Sequence, residues 1–167
     1  MTNKIGLGGG CHWCTEGIFQ SLKGVLKVQQ GWIASSQPNS AFSEAIIVEY
    51  DAQQIPLAVL IEIHLHTHSS TSSHSMRKKY RSAVYYDDQA IAAQVSAILT
   101  TLQNSFNQPI VTQCLPLVEF TLNDKQYLNY FYNQPELPFC QTYIHPKLTK
   151  LKKQYGEYLD TDKIRVI

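Results

Sequence analysis

A run of three glycines that leads directly into a cysteine, Gly8-Gly9-Gly10-Cys11, is the most constraining feature of this sequence. The pattern predicts a short strand over residues 4–7 and a helix that begins near Cys11. Glycine adopts backbone conformations that side chains forbid, and it leaves room for another molecule to approach the backbone. The chain is therefore expected to pass abruptly from a strand into a helix, with a thiol at the junction.

The glycine spacing does not fit a nucleotide site. Gly6-x-Gly8-x-x-Cys11 has a cysteine where the dinucleotide-binding fingerprint needs its third glycine, and about 20 residues on the sequence reads Gln29-Gln30-Gly31 without an acidic residue. A phosphate-binding P-loop would need Gly-Lys followed by Ser or Thr, which this run lacks. The glycines therefore need a different explanation.

A thiol at the start of a helix gives that explanation. Unpaired backbone N–H groups and the helix dipole favour negative charge there, which lowers the pKa of a cysteine and produces the nucleophilic thiolate. Cys14 follows one turn later, where it would be able to trap an oxidised Cys11 as a disulfide. The pattern predicts a reactive Cys11, although two small buried cysteines or part of a metal site remain open.

Size and charge limit the function classes. With 167 residues and 44% hydrophobic content, the chain is expected to form one domain that spans residues 1–167. Fourteen basic against thirteen acidic residues leave a formal charge of +1, which gives no electrostatic footprint for nucleic acid or anionic lipid. The longest apolar run, residues 55–61, is far shorter than the roughly 20 residues of a membrane span.

The expected compartment is the cytoplasm, because the glycine run comes too early in the sequence for the apolar region of a signal peptide. Thiols in the cytoplasm are normally kept reduced. The four cysteines are therefore expected to be reactive, metal-binding or merely buried, and not to form a disulfide framework.

Strands and helices alternate irregularly along the chain, which favours an α/β or α+β fold. Strands are predicted over residues 25–34 and 45–50, and over residues 110–122 with an interruption at Pro116. Helices are predicted over residues 56–64, where a strand is the alternative, over residues 88–106, and from Pro146 onward. Residues 64–75 contain only His, Ser and Thr apart from Leu65, and they are predicted to form a loop or a frayed end.

Several segments, taken in order, resemble the A-type peptide methionine sulfoxide reductases and cover most of the chain. The segments that carry the resemblance are GCHWCTE at residues 10–16, the Gly31-Trp32 pair, SEAIIVEYD at residues 43–51, YRSAVY at residues 80–85, PFC at residues 138–140 and PKL at residues 146–148. The resemblance implies a two-layer α+β sandwich: a mixed sheet packed against flanking helices, with a ferredoxin-like unit as its core. It also implies reduction of methionine-S-sulfoxide, free or protein-bound, and so the repair of oxidised proteins.

The resemblance assigns the catalytic roles to three residues. Cys11 would attack the sulfoxide sulfur, Glu44 would protonate the departing oxygen, and Tyr80 would donate a hydrogen bond to that oxygen. Cys11 would become a sulfenic acid, which condenses with a nearby thiol. Cys14 and Cys140 are both candidates for that resolving thiol, and thioredoxin or another dithiol would then reduce the disulfide. No bound cofactor and no metal are implied.

The substrate-binding positions depart from the family pattern. His12 replaces a phenylalanine of the methyl-binding pocket, Trp32 replaces a tyrosine that helps to hold the sulfoxide oxygen, and Ser75 stands in the place of an aspartate, while Trp13 is expected to form the pocket wall. The chain is therefore identified as a divergent member, with a pocket that has changed more than its nucleophile.

Three other functions compete with this interpretation. A thiol–disulfide redox protein or sensor would use Cys11 and Cys14 without sulfoxide chemistry, and a catalytically weakened reductase would serve only for binding. The third is metal binding by His64, His66, His68 and His74. On a strand, the first three of these histidines would point to one face, as metal ligands require.

Overall fold

A computed structural model describes residues 3–164, which form one mixed β-sheet with helices packed on it. The strands are β1 (Asn3–Gly8), β2 (Val25–Ala34), β3 (Ser43–Tyr50), β4 (Ala83–Tyr86), β5 (Gln113–Pro116) and β6 (Glu119–Leu122). They lie side by side in the order β5-β4-β1-β3-β2-β6. The β4–β5 pair is parallel and the other neighbours are antiparallel, so the sheet is mixed.

The central four strands have the ferredoxin-like connection. Helix α1 (His12–Gln20) joins β1 to β2, and helix α2 (Leu57–His66) joins β3 to β4. This gives a β-α-β-β-α-β unit with the antiparallel order β4-β1-β3-β2. The expected α+β fold, with a mixed sheet and flanking helices, is confirmed.

Three further helices follow this unit: α3 (Gln89–Leu102), α4 (Tyr130–Asn133) and α5 (His145–Tyr155). The main hydrophobic core lies on one face of the sheet, between alternate side chains of β1 and β3 and the apolar faces of α1, α2 and α5. Core residues include Leu7 from β1, Phe19 from α1 and Leu148 from α5. The opposite face carries a smaller cluster around Ile33 and Tyr85, which the β5–β6 region partly covers.

Most of the elements predicted from the sequence agree with the structure, and the largest difference lies near residues 110–122. There the predicted interrupted strand is two separate strands, β5 and β6, which lie at opposite edges of the sheet. Pro116 ends β5, and Leu117 and Val118 connect it to β6.

At the start of α3, the Asp88 side chain accepts a hydrogen bond of 2.9 Å from the Ala90 amide, which satisfies a free N–H group of the helix.

Residues 64–75, predicted to form a loop or the frayed end of an element, begin with the last turn of helix α2, which extends to His66. His64 is only 2% exposed, which the polar composition of this segment did not indicate. His64 Nε2 donates to the Gly8 carbonyl at 2.8 Å, and His68 lies against the His64 ring with a centroid distance of 4.2 Å. Helical geometry also removes the shared strand face that the metal hypothesis needs. Among residues 3–164 no group of three His, Cys, Asp or Glu side chains is placed to hold a metal ion.

In the same part of the chain, none of the helices combines the length and the apolar character that crossing a membrane requires.

The burial of His64 predicts a dependence of stability on pH. Burial lowers its pKa to about 4, and its Nδ1 has no hydrogen-bond partner that would stabilise a proton. In the unfolded chain the ring titrates near pH 6.5. Below that pH the unfolded state binds a proton that the folded state does not bind, so the folded state loses stability relative to it. From pH 7 to pH 5 we expect His64 to remove about 2 kcal/mol from the unfolding free energy, as measured by urea denaturation.

His64→Gln keeps a donor toward Gly8 and should remove this part of the pH dependence, whereas His74→Gln, a change at an exposed histidine, should retain it. Equal pH dependence in the parent and in His64→Gln would contradict the assignment.

Candidate active site

Cys11 lies at the junction between β1 and α1, as the glycine run predicts. Gly9 has φ +154°, and a Cβ atom there would lie 2.4 Å from the His68 ring, so only glycine fits. Cys11 is the N-cap residue of α1, and its carbonyl accepts the first helical hydrogen bonds, from the amides of Cys14 at 3.1 Å and Thr15 at 3.2 Å. The half-buried Cys11 side chain is thereby fixed at the start of the helix.

The environment of Cys11 favours its thiolate. The pKa of Cys11 is lowered, first by a hydrogen bond from the Cys14 thiol and then by the backbone amides of Trp13 and Cys14, while burial opposes the shift. The same contact and burial raise the pKa of Cys14, so Cys14 keeps its proton and acts as the donor. Of the two thiols, Cys11 is therefore the one whose thiolate is favoured.

Glu44 is held next to this helix start. It is the second residue of β3, lies opposite Trp32 of β2, and is 6% exposed. One carboxyl oxygen, Oε1, accepts from the His12 amide at 3.1 Å, and the other, Oε2, lies 3.5 Å from Nζ of the exposed Lys79. The carboxyl group is thus bound to the residue that follows Cys11 in the chain.

His12 is buried between Glu44 and the backbone of β2. Its Nδ1 lies 2.7 Å from the Gly31 carbonyl oxygen, which can only accept, so Nδ1 carries a hydrogen. Its Nε2 lies 3.3 Å from Glu44 Oε1 and 3.5 Å from Asn123 Nδ2. Burial lowers the pKa of His12 more than the Gly31 carbonyl and Glu44 raise it, which favours the neutral ring with a lone pair on Nε2.

A chain of buried amides supports His12 from behind. Asn123 Nδ2 donates to Gln30 Oε1 at 2.6 Å, and Gln30 Nε2 donates to Glu16 Oε1 at 2.9 Å. Glu16 also accepts from the amides of Asn129 and Tyr130, at 3.0 Å and 3.2 Å, and burial raises its pKa. Sequence reasoning missed the contribution of Gln30 and Asn123 to the site, because they belong to different segments and no local motif connects them.

A cavity of about 450 Å³ collects most of the predicted site residues. It is lined by Cys11, His12, Trp13, Trp32, Glu44, Lys79, Tyr80, Asn123, Asp124, Tyr127 and Phe139. Ser75 is not among these residues: it is exposed at the start of a short 3₁₀ helix, Ser75–Lys78. The structure therefore brings Cys11, Glu44 and Tyr80 together with three of the four predicted binding residues.

Aromatic rings form one wall of this cavity. Trp13 stacks on Tyr130 with a centroid distance of 4.2 Å and meets Phe139 edge-on at 5.4 Å. Trp32 meets the His12 ring in a T-shaped contact at 5.2 Å. A cavity with aromatic walls on one side and a carboxyl and a thiolate on the other can hold a small apolar group while its polar end reaches both reactive groups.

The two candidate resolving cysteines lie in the core beside Cys11. Cys14 is 5% exposed and Cys140 is fully buried, at the first residue of the π-helical turn Cys140–Ile144. Cys140 is near enough to raise the pKa of Cys14 slightly, and burial raises its own pKa. Cys14 thus contacts Cys11 directly and also lies near Cys140, whereas Cys114 is placed on β5, away from this group.

Comparison with known proteins gives a consistent match. Residues 3–159 match the family model of peptide methionine sulfoxide reductase. The chain is 33% identical, over 92% of its length and 96% of the relative's, to a peptide methionine sulfoxide reductase MsrA of Psychrobacter sp.. The fold is similar to that of Mxr1 from Saccharomyces cerevisiae in reduced form, with a TM-score of 0.75 and 21% identity over 85% of this chain and 91% of that one. It is also similar to Mxr1 in complex with Trx2, with a TM-score of 0.61 and 21% identity over 77% and 84% of the two chains.

Proposed function

This chain belongs to the peptide methionine sulfoxide reductase family, and from that premise we propose how its residues carry out the reaction. The protein is an oxidoreductase that reduces methionine sulfoxide to methionine. The observation that carries the proposed course is the position of the Cys11 thiol, whose pKa is lowered, in one cavity with the buried Glu44 carboxyl. We propose that the substrate is the S epimer.

In the first step the Cys11 thiolate attacks the sulfoxide sulfur, and the sulfoxide oxygen receives a proton from Glu44. The hydroxyl group then passes from the substrate sulfur to the Cys11 sulfur. The substrate's sulfur–oxygen bond and the transient sulfur–sulfur bond both break, a sulfur–oxygen bond to Cys11 forms, and Cys11 becomes a sulfenic acid. Methionine leaves with its sulfur reduced by two electrons, and Cys11 is oxidised by two. The first-turn amides that stabilise the thiolate also keep Cys11 ionised before the substrate arrives.

The proton of this step is shared between Glu44 and His12. With Nδ1–H bound to the Gly31 carbonyl, Nε2 of the neutral ring lies 3.3 Å from Glu44 Oε1, within reach of a proton that the carboxyl group carries to the substrate. Lys79 lies 3.5 Å from the other carboxyl oxygen. We assign His12 the role of a partner that holds the acid's proton, in addition to its place in the cavity lining.

The rest of the cavity positions the substrate. The S-methyl group packs against Trp13 and Trp32, which offer apolar ring surface beside Cys11. Tyr80, half-buried in the same cavity, donates a hydrogen bond to the sulfoxide oxygen. The composition of the lining supports this arrangement. The aromatic rings, the Glu44 carboxyl group and the Tyr80 hydroxyl group belong to the same cavity as Cys11.

The sulfenic acid is then resolved by a thiol. Cys14, which already contacts Cys11, attacks the sulfenic sulfur, water leaves, and a Cys11–Cys14 disulfide forms. Cys140 is a second resolving thiol in a relay through Cys14. A dithiol protein such as thioredoxin reduces the disulfide, and the yeast protein Mxr1, crystallised in complex with Trx2, supports this partner. We propose a cytoplasmic location, a role in repair and a single domain over residues 1–167, without a bound cofactor.

The activity test separates reduction of sulfoxide from the competing redox functions. With a dithiol donor, the protein should reduce methionine-S-sulfoxide and leave the R epimer, and Cys11→Ser should lower this activity to below a few per cent, because serine is not ionised at neutral pH. Methionine formed is measured by chromatography, and circular dichroism checks the fold. Turnover in Cys11→Ser, or oxidation of Cys11 by peroxide without any sulfoxide turnover, would contradict the proposal.

The acid is tested by single-turnover rates as a function of pH. Glu44→Gln should lower the rate by roughly 10²–10⁴, the usual contribution of a general acid. The matched variant Lys79→Gln changes the exposed neighbour of the carboxyl group and keeps the carboxyl group itself, so it should lower the rate far less. An unchanged rate in Glu44→Gln would show that Glu44 is not the proton donor.

A further inference from the structure

A second cavity, of about 510 Å³, also reaches the reactive thiol. It shares Cys11, Tyr80 and Phe139 with the sulfoxide cavity, but it is otherwise lined by different residues. The most informative difference is Cys14, which lines the second cavity and not the first. Glu44, in contrast, lines only the first. The two sulfurs of a Cys11–Cys14 disulfide would therefore not be equally accessible from the two cavities.

The second cavity is cationic. Its lining contains Lys147 and Lys150 of α5, together with His66, His68 and His74, and no Asp or Glu is among the lining residues that the structure describes. The half-buried Lys147 is near enough to the thiols to lower the pKa of Cys14, and it opposes protonation of His68. The Lys150 ammonium donates to the His66 carbonyl at 3.3 Å, which holds it over the cavity. A ligand here meets positive charge and two sulfur atoms.

We propose that this cavity admits a small thiol that carries carboxylate groups, and that this thiol reduces the disulfide at Cys14. The inference rests on the proposed function, since it needs the Cys11–Cys14 disulfide. The carboxylates pair with Lys147 and Lys150, and the same charges favour the thiolate form of the incoming donor. This adds a small-molecule electron donor to the dithiol protein as a means of turnover.

The chemistry of the two sulfurs favours attack at Cys14. In thiol–disulfide exchange, the thiolate with the lower pKa leaves faster. Attack on Cys14 forms a mixed disulfide between the donor and Cys14 and releases Cys11, whose thiolate the amides of Trp13 and Cys14 still stabilise at the start of α1. A second donor thiolate attacks the donor sulfur of the mixed disulfide, so the oxidised donor leaves and Cys14 takes up a proton. Two donor thiols are oxidised, and one protein disulfide is reduced.

The size of the space favours a small donor over part of a folded protein. A cavity of about 510 Å³ is in the range that holds small ligands. Tyr143, at 55% exposed, and residues 66–69 are among its lining, so the cavity opens to solvent beside α5. Sulfoxide and donor can therefore approach Cys11 and Cys14 through largely different spaces, which share only Cys11, Tyr80 and Phe139 among their lining residues that the structure describes.

The test measures reduction of the preformed disulfide by three thiols of similar size and different charge. These are 3-mercaptopropionate, 2-mercaptoethanol and cysteamine, each compared between parent and variant so that differences in thiol pKa cancel. Charge reversal in Lys147→Glu/Lys150→Glu should slow 3-mercaptopropionate by roughly tenfold or more, the lower end of electrostatic steering effects, leave 2-mercaptoethanol within threefold, and accelerate cysteamine. High salt should reduce these differences.

The matched control is Lys152→Glu/Lys153→Glu, which makes the same change in net charge on the same helix at two exposed residues outside the cavity. It should leave all three rates unchanged. Equal changes of rate in both double variants would show that only the net charge of the protein matters. If Lys147→Glu/Lys150→Glu slowed disulfide reduction by thioredoxin alone, the lysines would serve a protein donor. Either outcome overturns the proposal.

Methionine release by the reduced parent protein, at least one per chain without any donor, tests the proposed function separately. If it fails, the function is wrong, whereas methionine release with no dependence on thiol charge rejects only this inference.

Discussion

The position of Cys11 at the start of α1, one helical turn before Cys14, is the constraint on which the site depends. The Cys14 thiol and the amides of Trp13 and Cys14 lower the pKa of Cys11, whereas the pKa of Cys14 is raised. Cys11 has this position because the glycine turn ends β1 just before α1 and leaves Cys11 as the N-cap. The ferredoxin-like core has the further effect of placing β3, and so Glu44, beside this helix start.

A second determinant is the buried polar chain that runs from Glu16 through Gln30 and Asn123 to His12. Buried polar groups are costly unless they are paired, so each member fixes its neighbour. His12 in turn contacts Glu44, and the exposed Lys79 approaches the other oxygen of that carboxyl group. His12 therefore connects the proposed acid to this chain of polar groups, at a position where the family resemblance implies a phenylalanine.

Much of this arrangement could be predicted from the sequence. The strand over residues 25–34 agrees with β2, and Cys11 lies at the predicted helix start, because hydrophobic period and glycine chemistry are local signals. The two strands within residues 110–122 could not be placed at opposite sheet edges, since strand pairing is a long-range property. His64 looked like part of a polar loop because composition does not reveal that its ring bonds to the Gly8 carbonyl. Ser75, which the resemblance assigns to the substrate-binding positions, is exposed and lies outside the cavity lining.

The central claim is that Cys11 takes the sulfoxide oxygen and that Cys14 then resolves it. The most direct measurement is rapid-quench mass spectrometry of the reduced protein after mixing with one equivalent of methionine-S-sulfoxide, without a donor. The account predicts a Cys11 sulfenic acid that forms with the release of methionine and decays into a Cys11–Cys14 disulfide before any disulfide includes Cys140. A stable Cys11 sulfenic acid with Cys14 and Cys140 both free, or methionine released while Cys11 remains a thiol, would contradict it.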